Sequence, residues 1–217
     1  MCARIAPENS ARVLAVVPTP RFSGHAVLDG WGLDPGSFAT WKLGSLTTDE
    51  ERFHFFDRRL LKSLRRFRPA ILVLGIPRKD DRRSRVLRES ARRLAVEYGV
   101  AVIEHPVSEA RSLLLGCQRG HKNDALAACI ANSFFPTLER FRSPRQTIQR
   151  KYRLHAFEAV ALALLELVER APLSAAAVAS DEAFAMGPFN AALAESARRH
   201  FPDKIYDQPD FVQTRRS

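Results

Sequence analysis

The 217-residue chain has few of the features that mark a secreted or membrane-bound protein. Its three cysteines, Cys2, Cys117 and Cys129, show no CxxC spacing, so the sequence indicates neither a zinc site nor a disulfide framework. No apolar stretch reaches the roughly 20 residues that a membrane helix needs, and the first residues lack the basic start and apolar run of a signal peptide. We therefore expect a soluble protein in a reducing compartment, the cytoplasm.

Positive charge is abundant. The sequence has 34 Lys and Arg residues against 24 Asp and Glu residues, which gives a formal net charge of +10. Arginine makes two-pronged contacts with phosphate, so nucleic acid is the partner that this composition favours. A solvated basic surface without a partner is the alternative. The 46% hydrophobic content is enough for one domain with a sizeable core and an appendage.

Short apolar runs and amphipathic segments alternate along the chain and predict an α/β domain. Strands are expected at residues 12–17, 25–29, 38–43, 70–75 and 100–104, and helices at about 48–67, 86–98, 122–138 and 153–170. This order predicts a five-stranded mixed sheet, an antiparallel meander plus parallel strands, flanked by helices as in ribonuclease H-like folds. The domain covers residues 11–171, and residues 172–217 form a C-terminal helical extension with a polar tail.

Three local motifs occur in an order and spacing typical of one family. Residues 21–28 read Arg-Phe-Ser-Gly-His-Ala-Val-Leu, residues 120–126 read Gly-His-Lys-Asn-Asp-Ala-Leu, and residues 155–163 read His-Ala-Phe-Glu-Ala-Val-Ala-Leu-Ala. They are similar to the first hairpin, the DNA-contacting lysine segment and the final acidic helix of the RuvC family of Holliday-junction resolvases. The resemblance extends over about residues 12–168. It implies DNA as the partner, a homodimer, and a role in DNA recombination and repair.

The family's catalytic acids are only partly present. Such enzymes hold two Mg²⁺ ions that activate water and stabilise the leaving oxygen. The first acid of the family falls on Val17 and the second on Gly75, while the last pair corresponds to His155 and Glu158. Valine and glycine side chains offer no metal ligand, so we expect a vestigial site and a two-metal reaction that is severely impaired or absent. No cofactor or metal is expected, and Mg²⁺ or Mn²⁺ would be required if the protein were active.

Other acids are alternative candidates for the missing ligands. Asp34 lies in Gly-Leu-Asp-Pro-Gly-Ser, which matches the family's first catalytic segment by letters, but Asp-Pro-Gly is an ordinary turn, which we place between strands two and three. Asp29 and Glu104 end neighbouring strands and are further substitutes. A purely structural alternative is that Glu158 accepts a hydrogen bond or salt bridge from Arg153 or Lys151.

The main interpretation is a catalytically degenerate RuvC-like protein that binds branched or duplex DNA through the phosphate backbone. An Mg²⁺- or Mn²⁺-dependent endodeoxyribonuclease with a rearranged site and a structural subunit of a larger complex are the alternatives. In the last case, the C-terminal extension would dock a protein partner. The expected phosphate contacts lie in loops or at helix starts: Arg78, Lys79, Arg82, Arg83, Arg111, Arg119, Lys122, Arg145, Arg150 and Lys151.

Overall fold

The computed structural model describes residues 12–34, 36–115, 123–142 and 147–170. The strands in these ranges are β1 (Arg12–Val17), β2 (Phe22–Asp29), β3 (Gly32–Leu33), β4 (Ala39–Lys42), β5 (Ile71–Ile76) and β6 (Ala101–Pro106). The helices are α1 (Asp49–Phe67), α2 (Arg82–Glu97), α3 (Val107–Leu115), α4 (Asn123–Ser133) and α5 (Thr147–Arg170), with a 3-10 helix at Pro136–Phe141.

One mixed sheet forms the centre of the domain, in the order β3-β2-β1-β5-β6. Strand β1 pairs antiparallel with β2 and parallel with β5, and β5 pairs parallel with β6. Both β3 and β4 pair antiparallel with β2, at opposite ends of that strand, so together they are one interrupted third strand. The predicted five-stranded arrangement of meander and parallel strands is therefore confirmed.

The turn at Asp34 lies between β2 and β4, the strand that matches the predicted third strand at residues 38–43, as expected. Gly30 and Trp31 first connect β2 to the two-residue β3, and Gly30 adopts the positive φ of 55° that glycine tolerates best. The Asp34 turn then leads from β3 to β4, closed by a hydrogen bond of 3.0 Å from the Ser37 amide to the Asp34 carbonyl. The Ser37 hydroxyl then accepts the Val27 amide of β2 at 2.7 Å, which replaces a missing sheet hydrogen bond.

Alternating side chains of β1 divide the core into two layers. Val13, Ala15 and Val17 pack with α3, α4 and α5 on one face of the sheet, whereas Leu14 and Val16 pack with α1 and α2 on the other. Residues 156–165 of α5 are buried without interruption, because this helix crosses the sheet beneath α3 and α4. Helices that are apolar on all sides are buried in this way.

Helix boundaries differ from the prediction where proline or short length changes the pattern. Helix α3 was not predicted, because its nine residues follow Pro106 directly and mix charged and apolar residues with weak periodicity. The expected helix at 122–138 is α4, which ends at Ser133, followed by the 3-10 helix that starts at Pro136. Helix α5 begins at Thr147, earlier than expected. The predicted extension at residues 172–217 lies outside the described residues.

Within the described ranges, no helix combines the length and apolar character needed to cross a bilayer.

Candidate functional site

Hydrocarbon fills the place where the resemblance puts the first two acids. Val17, the last residue of β1, is 1% exposed. A Cβ atom on Gly75 would lie 2.6 Å from Leu162 Cδ1 of α5, and 3.1 Å from the Cγ2 atoms of both Val107 and Val17. These separations are below van der Waals contact even for a methyl group. A carboxylate at position 75 therefore has no space in this packing.

Helix α5 is held close to the ends of β1 and β2. Val17 pairs with Gly24 across the two strands, and a Cβ atom on Gly24 would lie 1.8 Å from the carbonyl oxygen of His155. Only glycine permits this approach of helix backbone to strand backbone. The approach places the part of α5 that contains His155 and Glu158 over the end of β1.

The Glu158 carboxylate has two polar partners, a guanidinium and an imidazole. Its Oε1 atom accepts a hydrogen bond from Arg111 Nη1 at 3.2 Å, and its Oε2 atom lies 2.9 Å from His155 Nδ1. Glu158 is 7% exposed and the Arg111 side chain is 23% exposed, so a buried carboxylate meets a partly buried cation. A guanidinium therefore neutralises the carboxylate to which the sequence resemblance would assign a metal-binding role.

This pairing changes the roles predicted for neighbouring residues. Arg111 was expected to contact phosphate, but it lies on α3, the unpredicted helix, and binds Glu158. Arg153, one proposed partner of Glu158, donates from Nη1 to the Phe141 carbonyl at 3.2 Å instead. The side chain of Lys151, the other proposed partner, lies outside the described part of the chain.

Asp29 and Glu104 do not join Glu158. Asp29 pairs with Arg12 at the opposite end of β1 and β2 from Val17, and it is exposed. Glu104 contacts Arg92 and Arg88 of α2, so its side chain lies on the face of the sheet away from α5. A strand presents neighbouring residues to opposite faces, and position 104 is on the α2 side. Neither acid is placed to substitute for a missing ligand.

Asp34 also lies apart from the α5 face. Its Oδ1 atom accepts the amide of Gly36 at 2.8 Å, within the turn that interrupts the third strand. A Cβ atom on Gly36 would lie 3.3 Å from this oxygen and 2.9 Å from Nη2 of Arg66, which belongs to α1. Asp34 is therefore beside the basic end of α1, and the structure does not bring it to the end of β1.

His25 is a core residue of the first hairpin. Its Nε2 atom lies 3.0 Å from Ser63 Oγ of α1, and its ring packs against Trp41 and Phe67 at centroid distances of 5.0 and 6.0 Å. Burial lowers the pKa of His25 from 6.5 to about 4, because the protonated ring would lose its hydration. This histidine stays neutral at physiological pH and packs as an aromatic residue.

Apart from Arg111, the described phosphate-contact candidates lie around the loop from β5 to α2. Arg78, Lys79 and Arg82 are exposed, and Arg83 forms an ion pair with Asp49 at 2.8 Å. The remaining candidates are not described: Arg119, Lys122 and Arg145 lie outside the described ranges, and for Arg150 only the backbone, in α5, is described.

A cluster at the other end of α5 was not anticipated. His105 Nε2 of β6 lies 3.0 Å from Glu166 Oε2 and 3.7 Å from Glu169 Oε2, and Glu166 also binds Arg170. Among the described residues, this is the one group of three histidine, cysteine or acidic side chains close enough together to share a metal ion. His105 and Glu166 are 61 positions apart, and the one local signal in the sequence was the i, i+3 spacing of Glu166 and Glu169. Because Arg170 already neutralises Glu166, the cluster is an ion-pair network that attaches β6 to α5.

The donor set does not fit the two divalent ions of a RuvC-type site. Mg²⁺ requires oxygen ligands in near-octahedral geometry, and two ions need a carboxylate between them. Val17 and Gly75 offer no side-chain oxygen, and Glu158 is occupied by Arg111 and His155. No metal-dependent step can be derived from these residues.

The sheet order and its two helical layers define a ribonuclease H-like α/β domain. Within that class, the structure is similar to that of RuvC from Thermus thermophilus, with a TM-score of 0.52 and 18% identity over 72% of this chain and 97% of RuvC. The RuvC structure from the same organism in complex with a Holliday junction substrate gives 0.51 and 16% over the same shares. No protein-family model and no curated protein matches the sequence. The expected RuvC-like fold is confirmed.

Proposed function

We propose that this chain is a catalytically inactive RuvC-like protein that binds branched or duplex DNA through the phosphate backbone. The observation that carries the proposal is the filled metal site. Leu162, Val107 and Val17 occupy the space beside Gly75, and Arg111 holds the one buried carboxylate at the end of β1. The fold is kept, and the groups that perform hydrolysis are replaced by packing and an ion pair.

Loss of catalysis follows from the chemistry of phosphodiester hydrolysis. Two-metal cleavage requires ions that activate water on one side of the phosphorus and stabilise the leaving oxygen on the other. In this domain, a cation introduced near Glu158 would have to displace the guanidinium of Arg111 at 3.2 Å. The cation would then contact the apolar side chain of Val17, at the position where a bridging carboxylate is needed.

Retained DNA binding is supported by charge and position. The net charge of the whole chain is +10, and Arg78, Lys79 and Arg82 are exposed after the end of β5. A similar structure was determined in complex with a Holliday junction substrate. Contacts to phosphate fix the position of a protein on DNA without reading base sequence, so we expect selectivity for DNA shape.

Fluorescence anisotropy with a labelled four-way junction and a labelled duplex, measured over a series of salt concentrations, tests the binding. Arg82→Gln should lower the slope of log affinity against log salt by about 1, as expected for one lost phosphate contact. Arg92→Gln is the matched control, because it removes one positive charge from the same helix on the side that contacts Glu104 of β6, away from α1. Binding that is absent or indifferent to salt would refute the DNA-binding proposal.

Incubation of the labelled junction with Mg²⁺ or Mn²⁺ tests the inactivity. We expect intact DNA at every metal concentration. Metal-dependent cleavage by the wild-type chain that disappears in Glu158→Ala would show that a rearranged nuclease site exists. A chain that neither binds nor cleaves DNA would instead favour the scaffold alternative.

A further inference from the structure

The second half of α1 is rich in positively charged residues. Between positions 58 and 68 the sequence contains six cationic residues and no acidic one. All six side chains are exposed: Arg58, Arg59, Lys62, Arg65, Arg66 and Arg68. This density of like charge is costly without a counter-ion, and a polyanion relieves it.

The run lines a groove between α1 and α2. The two helices lie side by side in the same direction, because Arg83 near the start of α2 pairs with Asp49 at the start of α1, and Arg65 near the end of α1 bonds to Tyr98 after α2. We call the space between them the α1–α2 groove. It has a volume of about 730 Å³, and Leu61 and Leu94 are its apolar lining residues.

Four of the six cations line this groove, namely Arg58, Lys62, Arg65 and Arg66. Asp57 is the one carboxylate among the lining residues, and it accepts a hydrogen bond of 2.6 Å from Ser90 Oγ. The α1–α2 groove is therefore strongly positive and can accept a negatively charged partner along its length.

Aromatic rings hold part of this charge in place. Arg65 donates from Nε to the Tyr98 hydroxyl at 2.8 Å and lies 5.8 Å from the centre of its ring. The guanidinium of Arg66 lies 4.9 Å from the centre of the Phe67 ring. Stacked guanidinium groups lose less side-chain entropy on binding phosphate than free ones do.

The spacing of the cations fits a nucleic-acid backbone. Arg58, Lys62 and Arg66 are separated by four residues each and so lie along one side of the helix, over about 12 Å at 1.5 Å per residue. One DNA strand carries a phosphate about every 3.4 Å of duplex axis, so this length spans roughly three to four phosphates. A row of this length matches a chain of phosphates better than a single small anion.

We propose that the α1–α2 groove is a second binding site for the sugar–phosphate backbone of nucleic acid. The proposal rests on the proposed function, and it adds a surface that the resemblance does not assign. The groove lies on the face of the sheet covered by α1 and α2, whereas Glu158 lies on the face covered by α5. One chain would therefore contact DNA on two sides.

The test compares duplex binding by the full chain with that of the triple variant Arg58→Gln, Lys62→Gln and Arg66→Gln, using anisotropy at several salt concentrations. The variant should lower the salt slope by about 2 to 3 and weaken binding by about tenfold or more near 0.1 M salt. Asp57→Asn should have the opposite effect and strengthen binding, because it removes the groove's negative charge and keeps a hydrogen-bond acceptor for Ser90.

The outcomes separate the two proposals. If the wild-type chain binds DNA in a salt-dependent way and neither the triple variant nor Asp57→Asn alters that binding, the α1–α2 groove is not a DNA site and the proposed function stands. A wild-type chain without DNA binding overturns both. If circular dichroism shows that the triple variant is unfolded, the single Asp57→Asn result decides, and unchanged affinity counts against the groove.

Discussion

The packing around Gly75 leads to a quantitative prediction about stability. In Gly75→Ala, the new methyl group would lie 2.6 Å from Leu162 Cδ1, about 1 Å closer than favourable carbon–carbon contact. Val107 and Val17 are each 3.1 Å away on other elements, so the methyl has no free direction. We expect this substitution to lower the free energy of unfolding by about 1–3 kcal/mol, the usual range for an overpacked core.

A double-mutant cycle isolates the contact with Leu162. Leu162 is fully buried, and Leu162→Ala alone should cost about 2–5 kcal/mol because it leaves a cavity. In the double variant, the cavity receives the alanine at position 75. The combined loss should therefore be smaller than the sum of the single losses by about 1–3 kcal/mol.

Urea unfolding followed by circular dichroism measures each free energy in the cycle. Gly32→Ala is the matched control, since a Cβ atom there meets only the Asp29 carbonyl oxygen at 3.4 Å, and its effect should be within about 0.5 kcal/mol. Additive losses in the double variant, within about 0.5 kcal/mol, would refute the conclusion that α5 fills the space beside Gly75.

Three further predictions concern charge inside the domain. Arg111→Met should lower stability at neutral pH by about 3 kcal/mol, because it leaves Glu158 buried without its guanidinium, and adding Glu158→Gln should recover part of the loss in the same unfolding assay. His25 has a pKa of about 4 in the folded chain against 6.5 as its ordinary value, so the unfolded chain binds its proton first as pH falls. Stability should thus decrease by about 3 kcal/mol between about pH 6.5 and 4, and His25→Phe should remove that part of the pH dependence of melting; an unchanged profile would contradict the assignment. Val17→Asp should lower the melting temperature without producing Mn²⁺-dependent cleavage, and a Mn²⁺-induced rise in that temperature would show that a metal site can form.

Much of the fold could be predicted because it depends on local hydrophobic pattern. The runs that became β1 and β5 are continuous and apolar, as expected for strands covered on both faces, and the α5 motif lies in an unbroken buried helix. Helix α3 could not be predicted in the same way. Its nine residues lie between Pro106 and a region outside the described residues, and they carry little periodicity.

The candidate site depended on contacts between distant residues. Arg111 and Glu158 are 47 positions apart in sequence, and no local pattern connects them. Glu104 and His105 are neighbours, yet the pleat of β6 directs one to α2 and the other to α5. A difference of one residue in strand register would exchange those roles.

The sequence by itself determined that the ends of β1 and β5 carry no acid, because side-chain identity at Val17 and Gly75 needs no coordinates. Only the tertiary structure decided what lies there instead. Leu162 fills the space beside Gly75, and the Arg111 guanidinium, rather than a metal ion, pairs with Glu158. The physical reason is that a missing ligand is a property of one residue, whereas a filled site is a property of the helices that pack over it.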